Sequence, residues 1–128
     1  MRALRFWNKG ATEEDPIDKF IDIYIALEIF AKRILGYSDL NEHVINELEK
    51  RFGISFKYKI NNKEWSVCDI RNHLLHGGAC SAEKVKILDE VIEAADKISN
   101  RFKRDALDLF KIYLKQQVSR NNSPIINN

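Results

Sequence analysis

Cysteine and long apolar runs are both scarce in this chain, and each shortage excludes a class of protein. Two cysteines, Cys68 and Cys80, are too few for a disulfide framework, so the sequence predicts a reduced, cytoplasmic protein. The longest apolar stretch, residues 23–31, is interrupted by Glu28 and is far shorter than the roughly eighteen residues that span a membrane. No apolar segment follows the basic N-terminus, so we expect neither a secretion signal nor a membrane partner.

The composition is that of an ordinary globular domain. The length of 128 residues suits one domain, and 45% hydrophobic with 31% charged residues is normal for a chain that buries a core. The formal net charge of +2 does not by itself indicate nucleic acid. Seven basic residues stand against three aspartates between residues 96 and 120, which makes a mild basic patch. On its own, this patch is better explained as a solvated helix face.

The N-terminal part of the chain predicts one central helix. Residues 1–14 lack clear periodicity, so we expect a polar lead-in from which Phe6 and Trp7 dock onto the body. Asp15 with a proline directly after it is a typical helix start, and Gly36 is a typical end. This helix is apolar around most of its circumference, which predicts a central place in the fold.

A second helix and a strand-like segment follow. Ser38 or Asp39 is expected to cap the second helix, and Gly53 to end it. Residues 54–60 alternate apolar and polar side chains and lead into two asparagines, which is typical of a strand and a turn. This segment is either a short hairpin or an extended loop between helices.

The C-terminal half predicts two more helical segments. The first spans about residues 66–76. The second begins at a Ser81 cap and is either one long helix or two helices with a break near Ser99.

These segments together predict an all-α protein, a small bundle of four to five helices with a short hairpin or extended loop near residues 54–63. Residues 1–120 form its single domain, and residues 121–128 form a flexible C-terminal tail. No internal repeat or low-complexity linker interrupts this domain.

Two charged residues stand where the helical pattern expects apolar ones. On a helix, Arg71 falls inside the apolar arc beside Ile70, and Glu28 lies in line with Ile21 and Tyr24. Burying either charge alone would be costly, whereas a hydrogen-bonded pair largely offsets that cost. We therefore hypothesise that Glu28 and Arg71 pair between the first helix and the helix at residues 66–76. The alternative is that both reach solvent separately.

Arg71, Asn72 and His76 can gather at one end of this helix, which Gly77 and Gly78 end. Their chemistry fits RNA cleavage without a metal. Arginine binds a phosphate through two parallel hydrogen bonds, and an imidazole with an ordinary pKa of about 6.5 can transfer protons. Asn72 can orient the imidazole or the ribose. One histidine cannot easily act as acid and base in one step, but a twofold pair of motifs supplies two.

Other roles are open to the histidines. His76 can instead bond the last carbonyls of its helix, and His73 is a supporting candidate about 60° or more from it. Cys68, His73, His76 and Cys80 are ligand types that zinc accepts. However, Cys68 points into the apolar arc while both histidines point away from it, and the spacings match no common zinc finger. We therefore expect no metal and no other cofactor.

The sequence RNHLLH at residues 71–76 resembles the signature of the HEPN superfamily, an arginine, a polar residue and a histidine after a short spacer. The stretch RFWNKG, followed by a helix carrying ALE, is similar to the Apea-like branch of that superfamily. The resemblance implies an α-helical bundle that dimerises with its two motif helices facing each other. Many such proteins are metal-independent ribonucleases, including toxins and antiviral effectors. Others lack activity and bind RNA, nucleotides or partner proteins.

Carried onto this sequence, the resemblance implies that Arg71, Asn72 and His76 are catalytic, and our pattern analysis adds Glu28 and His73 as supporting residues. The implied partners are RNA, a second copy of the chain and, in a toxin, a nucleotidyltransferase or another antitoxin. One toxin subgroup has a tyrosine two positions after the histidine, where its partner modifies it. This chain has a glycine there, which argues against that regulation.

The sequence therefore predicts a homodimeric, metal-independent endoribonuclease of the HEPN type, resembling toxins or antiviral-defence proteins. The alternative is a non-catalytic HEPN-like domain that binds RNA, a nucleotide or a protein. A purely structural helical oligomer is a third class, and it would show no affinity for nucleic acid.

Overall fold

A computed structural model describes residues 2–75 and 82–122, and within these the side chains of 2–75 and 88–121. The described part is a small, mostly helical bundle with one hairpin, which confirms the predicted fold class. In chain order its elements are α1 (Arg2–Ala11), α2 (Pro16–Ile29), α3 (Glu42–Phe52), β1 (Lys57–Ile60), β2 (Lys63–Ser66), α4 (Val67–Leu75) and α5 (Ala82–Asn122).

The core lies between α2 and α5, and aromatic rings fill it. Phe20 packs against Phe102 with ring centroids 5.3 Å apart, and Phe30 packs against Phe110 at 5.1 Å. Phe56, just before β1, meets Phe102 edge to face at 6.0 Å. All five side chains are fully buried, so α2 and α5 form the scaffold on which the other elements are mounted.

Helix α1 replaces the polar lead-in expected at residues 1–14, so that expectation is wrong. The predicted docking of Phe6 and Trp7 is confirmed, since both pack against the core and the Trp7 indole donates to the Lys103 carbonyl at 2.8 Å. A Cβ added at Gly10 would lie 2.8 Å from the Ile23 Cδ1 atom, so α1 and α2 approach closely there. Phe6, Trp7 and Gly10 are three and four positions apart, which is a helical spacing, so the sequence did contain a sign of this helix that the prediction did not use.

The start and end of the central helix agree with the prediction. The Asp15 carboxylate accepts hydrogen bonds from the backbone N–H groups of Ile17 (2.8 Å) and Asp18 (3.2 Å). Past α2 the helix continues as a π-helical turn, Phe30–Ile34, which the sequence pattern did not predict. The helix stops before Gly36, whose φ of +78° is the left-handed conformation that glycine adopts readily.

The predicted cap of α3 is wrong. Asn41, rather than Ser38 or Asp39, caps this helix, and its side-chain oxygen accepts from the Val44 N–H at 3.0 Å. The physical reason is the burial of Leu40, which is only 5% exposed. Leu40 is thus held in the core just before the helix, and Asn41, whose backbone is extended (φ −136°, ψ −178°), is the residue that caps it.

Of the two structures predicted for residues 54–60, a short hairpin or an extended loop, the hairpin is observed. Helix α3 ends at Gly53, and β1 then pairs with β2 in an antiparallel register that sets Tyr58 opposite Trp65. Asn61 and Asn62 form the connection with φ of 51° and 65°. Positive φ at both residues is what a tight two-residue hairpin requires, and asparagine tolerates it well.

Helix α4 starts directly at the end of the hairpin. The Ser66 hydroxyl accepts from the Asp69 N–H at 3.1 Å and donates to the Glu42 carboxylate of α3. This contact fixes the start of α4 to the start of α3. The helix then directs its apolar face into the core through Val67, Cys68 and Ile70.

Helix α5 is one continuous helix. No break occurs near Ser99, whose hydroxyl instead donates to the Asp96 carbonyl one turn back at 3.2 Å. The helix reaches Asn122, inside the predicted tail, and residues 123–128 lie outside the described residues, as does the predicted Ser81 cap. Among the helices of the described part, none is apolar enough over a sufficient length to cross a membrane.

Candidate functional site

Helix α4 brings two of the three predicted catalytic residues together. Arg71 is half-buried and Asn72 is exposed, and the Arg71 guanidinium donates to the Asn72 side-chain oxygen at 3.3 Å. His76 lies outside the described residues, together with Gly77 and Gly78. The described part of the motif is therefore an arginine held by its asparagine neighbour near the end of α4.

Arg71 lies in a groove between α2 and α4. The groove has a volume of about 170 Å³, and most of its lining is apolar. The lining residues are Ile21, Tyr24, Ile25, Glu28, Arg71, Leu74 and Leu75. Leu75 is 56% exposed, which leaves a large apolar side chain uncovered at one edge. The groove thus combines an apolar surface with one positive and one negative group.

The hypothesis that Glu28 and Arg71 form an ion pair is wrong, although both line this groove. Among the described side chains, the pairs within ion-pair distance are Lys9–Asp22, Lys57–Glu49 and Lys97–Glu93. Both Glu28 and Arg71 are only half-buried. Water therefore solvates each of them in part, and neither needs the other to offset a burial cost.

The Arg71 guanidinium lies instead over the ring of Tyr24, a residue that the sequence analysis did not single out. The Arg71 Cζ atom is 5.6 Å from the ring centroid, within the range of a cation–π contact. The Tyr24 hydroxyl donates to the Leu40 carbonyl at 3.3 Å and lies 3.5 Å from the Cys68 Sγ atom. Tyr24 is four residues before Glu28 on α2, and this spacing was the only sign of its place in the groove.

Tyr24 and Cys68 are both held in their neutral forms. Burial raises the pKa of Tyr24 above its usual range, and its contact with Cys68 raises that pKa further. Burial also raises the pKa of the Cys68 thiol to about 11. A thiol protonated at neutral pH is a poor nucleophile, and a phenol with a raised pKa is a poor proton donor. Neither group is therefore suited to proton transfer in this groove.

His73 faces away from the groove. It is exposed, and its ring lies edge-on to Trp65 of the hairpin with centroids 6.5 Å apart. A supporting role beside Arg71 does not fit this position. Of the proposed zinc set, Cys68 is buried beside α2 and His73 is exposed beside β2, so these two ligands diverge, while His76 and Cys80 lie outside the described residues.

No group of three or more potential metal ligands gathers elsewhere in the described part of the chain.

Two basic residues of the α5 patch, Lys97 and Arg101, are engaged in pairing and packing. Lys97 pairs with Glu93 at 2.8 Å, and this hydrogen bond lowers the pKa of the Glu93 carboxyl. Arg101 lies over the ring of Tyr58 at 5.3 Å, and the Tyr58 hydroxyl donates to Asp105 at 2.7 Å. The contacts of Arg101 and Asp105 with Tyr58 stabilise the hairpin on α5, whereas the Lys97–Glu93 pair lies within α5. Arg101 therefore has a structural role.

The chain has no match among protein-family models, curated proteins or solved structures. Fold and groove together define a small helical domain with a half-buried arginine and an exposed asparagine beside a mostly apolar groove.

Proposed function

We propose that this protein is a metal-independent endoribonuclease of the HEPN type, acting as a homodimer in a toxin or antiviral-defence role. The observation that carries the proposal is the state of Arg71. In the described part of the chain, no carboxylate lies within ion-pair distance of its guanidinium, which meets only the Tyr24 ring and the Asn72 amide. An arginine in that state retains donors for a phosphodiester.

The chemistry requires three groups, and the motif contains the types needed. An imidazole removes the proton of the ribose 2′-hydroxyl, whose oxygen attacks the adjacent phosphorus. The bond to the 5′-oxygen breaks, and a protonated imidazole gives that oxygen its proton. The products are a 2′,3′-cyclic phosphate and a 5′-hydroxyl. Arg71 stabilises the charge that develops on the phosphoryl oxygens, and His76 from each of two copies supplies the acid and the base.

A second copy is the partner that the groove favours. Leu75 is largely exposed, and Ile21, Ile25 and Leu74 are half-buried beside it, so burying this surface against another chain would be favourable. In a twofold pair each surface meets its own copy, and Arg71 and Glu28 give that surface one charge of each sign.

The proposal predicts that His76→Ala and Arg71→Ala each lower RNA cleavage by on the order of a hundredfold or more, as loss of a proton-transfer or charge-stabilising group does. The measurement is cleavage of a fluorescently labelled single-stranded RNA by the full chain, with EDTA present to exclude metal catalysis. His43→Ala is the matched control, because His43 is an exposed histidine on α3 and lines no part of the groove.

Equal cleavage by the two variants and the parent chain would contradict the assignment, as would a parent chain that cuts no RNA. RNA binding by the parent chain without turnover would instead favour the non-catalytic RNA-binding alternative.

A further inference from the structure

The contact between Arg71 and Tyr24 supports a further inference, which rests on the proposed function. A free arginine side chain samples many rotamers, and a productive phosphate contact needs one of them. Ion pairing, the usual restraint, does not hold Arg71 among the described side chains. The described contacts that restrain it are the Asn72 amide at 3.3 Å and the Tyr24 ring, 5.6 Å from the Cζ atom to the centroid.

Of these two contacts, the Tyr24 ring is the immobile one. Tyr24 is only 3% exposed, and its hydroxyl is fixed by the Leu40 carbonyl and the Cys68 thiol. Its ring also stacks on Phe20 with centroids 6.3 Å apart, inside the core between α2 and α5. Asn72, by contrast, is exposed on the outside of α4. A rigid aromatic face therefore underlies one wall of the groove.

We propose that Tyr24 is a positioning residue for Arg71: the face of its ring holds the guanidinium in the groove in the orientation that receives a phosphodiester. The ring attracts a cation without neutralising it, because it has no net charge. A carboxylate in the same place would occupy the donors that the phosphate needs. Tyr24 itself touches no reacting atom and takes no part in proton transfer.

A spectroscopic test addresses the positioning directly and does not depend on activity. Protons of the Arg71 side chain lie over an aromatic face, so their NMR resonances are shifted upfield by the ring current. We expect this shift to be retained in Tyr24→Phe, which keeps the ring, and lost in Tyr24→Leu. An Arg71 resonance at its random-coil position in the parent chain would overturn the proposal, as would a shift that survives in Tyr24→Leu.

A kinetic test connects the positioning to cleavage. Tyr24→Phe is expected to cleave RNA within about threefold of the parent chain, whereas Tyr24→Leu is expected to lose on the order of tenfold to a hundredfold, as small misplacements of a catalytic group do. Because Tyr24 is proposed to act only through Arg71, Tyr24→Leu is expected to cause no further loss of cleavage in a chain that already carries Arg71→Ala. Independent, multiplying losses would overturn the proposal.

Phe52→Leu is the matched control for lost core packing. Phe52 is a buried aromatic residue on α3, 6% exposed, whose ring packs against Phe30 and lines no part of the groove. If Phe52→Leu lowers cleavage as much as Tyr24→Leu at equal melting temperature, Tyr24 has no positioning role. If the parent chain cuts no RNA, the ribonuclease assignment fails, and the NMR shift alone then decides whether Tyr24 holds Arg71.

Discussion

Arg71 is a cation in a groove, and burial keeps two nearby groups neutral: the Tyr24 phenol, whose ring lies under the guanidinium, and the Cys68 thiol, which contacts the Tyr24 hydroxyl. The sequence pattern indicated that Arg71 and Asn72 lie together, because neighbours on one helix follow from periodicity alone. It did not indicate the Tyr24 contact, because a ring on α2 reaches α4 only through the tertiary fold. The predicted pairing of Arg71 with Glu28 was wrong because periodicity places a residue on one face of a helix without showing how exposed that residue is.

At the residue scale, the raised pKa of Cys68 predicts a loss of stability in alkali. A group whose pKa is raised by folding contributes its full stability below its unfolded pKa and loses it as the pH rises through the folded value. For Cys68 that window runs from about 9 to about 11, and the loss is on the order of 2 kcal/mol. Tyr24 and Tyr58, whose pKa values are also raised by burial, add to the loss above pH 10.

Urea unfolding followed by circular dichroism between pH 7 and 11 measures this loss. In Cys68→Ala the free energy of unfolding should fall clearly less between pH 8 and 9.5 than in the parent chain, because the two tyrosines contribute mainly as the pH approaches and passes 10. A parent chain whose stability is constant over that interval would contradict the burial argument.

At the scale of elements, local chemistry predicted several boundaries and missed others. Asp15, Gly36 and Gly53 marked helix ends because a cap side chain or a left-handed glycine acts over a few residues. The Asn61–Asn62 turn was visible for the same reason. The cap at Asn41 was missed because tertiary contacts hold Leu40, the residue before it, and the local sequence does not show such contacts. The π-helical turn after α2 also left no local sign.

Helix α1 depends on a close approach that a single methyl group would disturb. Gly10→Ala places a Cβ 2.8 Å from the Ile23 Cδ1 atom and 3.1 Å from the Asp22 Cβ atom, and both neighbours are buried. Overpacking typically costs about 1–3 kcal/mol, and the better helix propensity of alanine returns up to about 1 kcal/mol. We expect a net destabilisation of about 1 kcal/mol.

Thermal or urea unfolding checks this value. Asn8→Ala is the control, because Asn8 lies on the same helix with its side chain exposed, and a change within about 0.5 kcal/mol is expected there. A Gly10→Ala protein as stable as the parent chain would show that α1 and α2 can move slightly apart without a loss of stability.

At the scale of the whole molecule, α5 connects the parts. Its 41 residues make a helix about 60 Å long, and α1, α2, α3, α4 and β1 all contact it. The groove lies between two of the elements that it supports, so the groove walls are set by one continuous scaffold. That arrangement suits a surface that the proposed second copy would bind.

The proposed dimer predicts that Leu75→Asp shifts the protein toward the monomer. A carboxylate in the centre of an apolar interface would lose its hydration without gaining a partner. Sedimentation velocity of the full chain over a range of concentrations measures the shift. Leu114→Asp is the matched control, because Leu114 is a similarly exposed leucine on α5, away from the groove.

A dimer that persists in Leu75→Asp and dissociates in Leu114→Asp would place the interface on α5 instead of on the groove.

The two tryptophans of the chain fall on its two peripheral additions, Trp7 on α1 and Trp65 on the hairpin. The Trp7 indole is hydrogen-bonded to the backbone of α5, and the Trp65 ring is nearly buried with the Lys63 ammonium 4.2 Å from its centroid. The two indole rings therefore have different surroundings, and each lies on an element that contacts α5 separately. The intrinsic fluorescence of this protein is therefore a composite of two local signals, one from α1 and one from the hairpin.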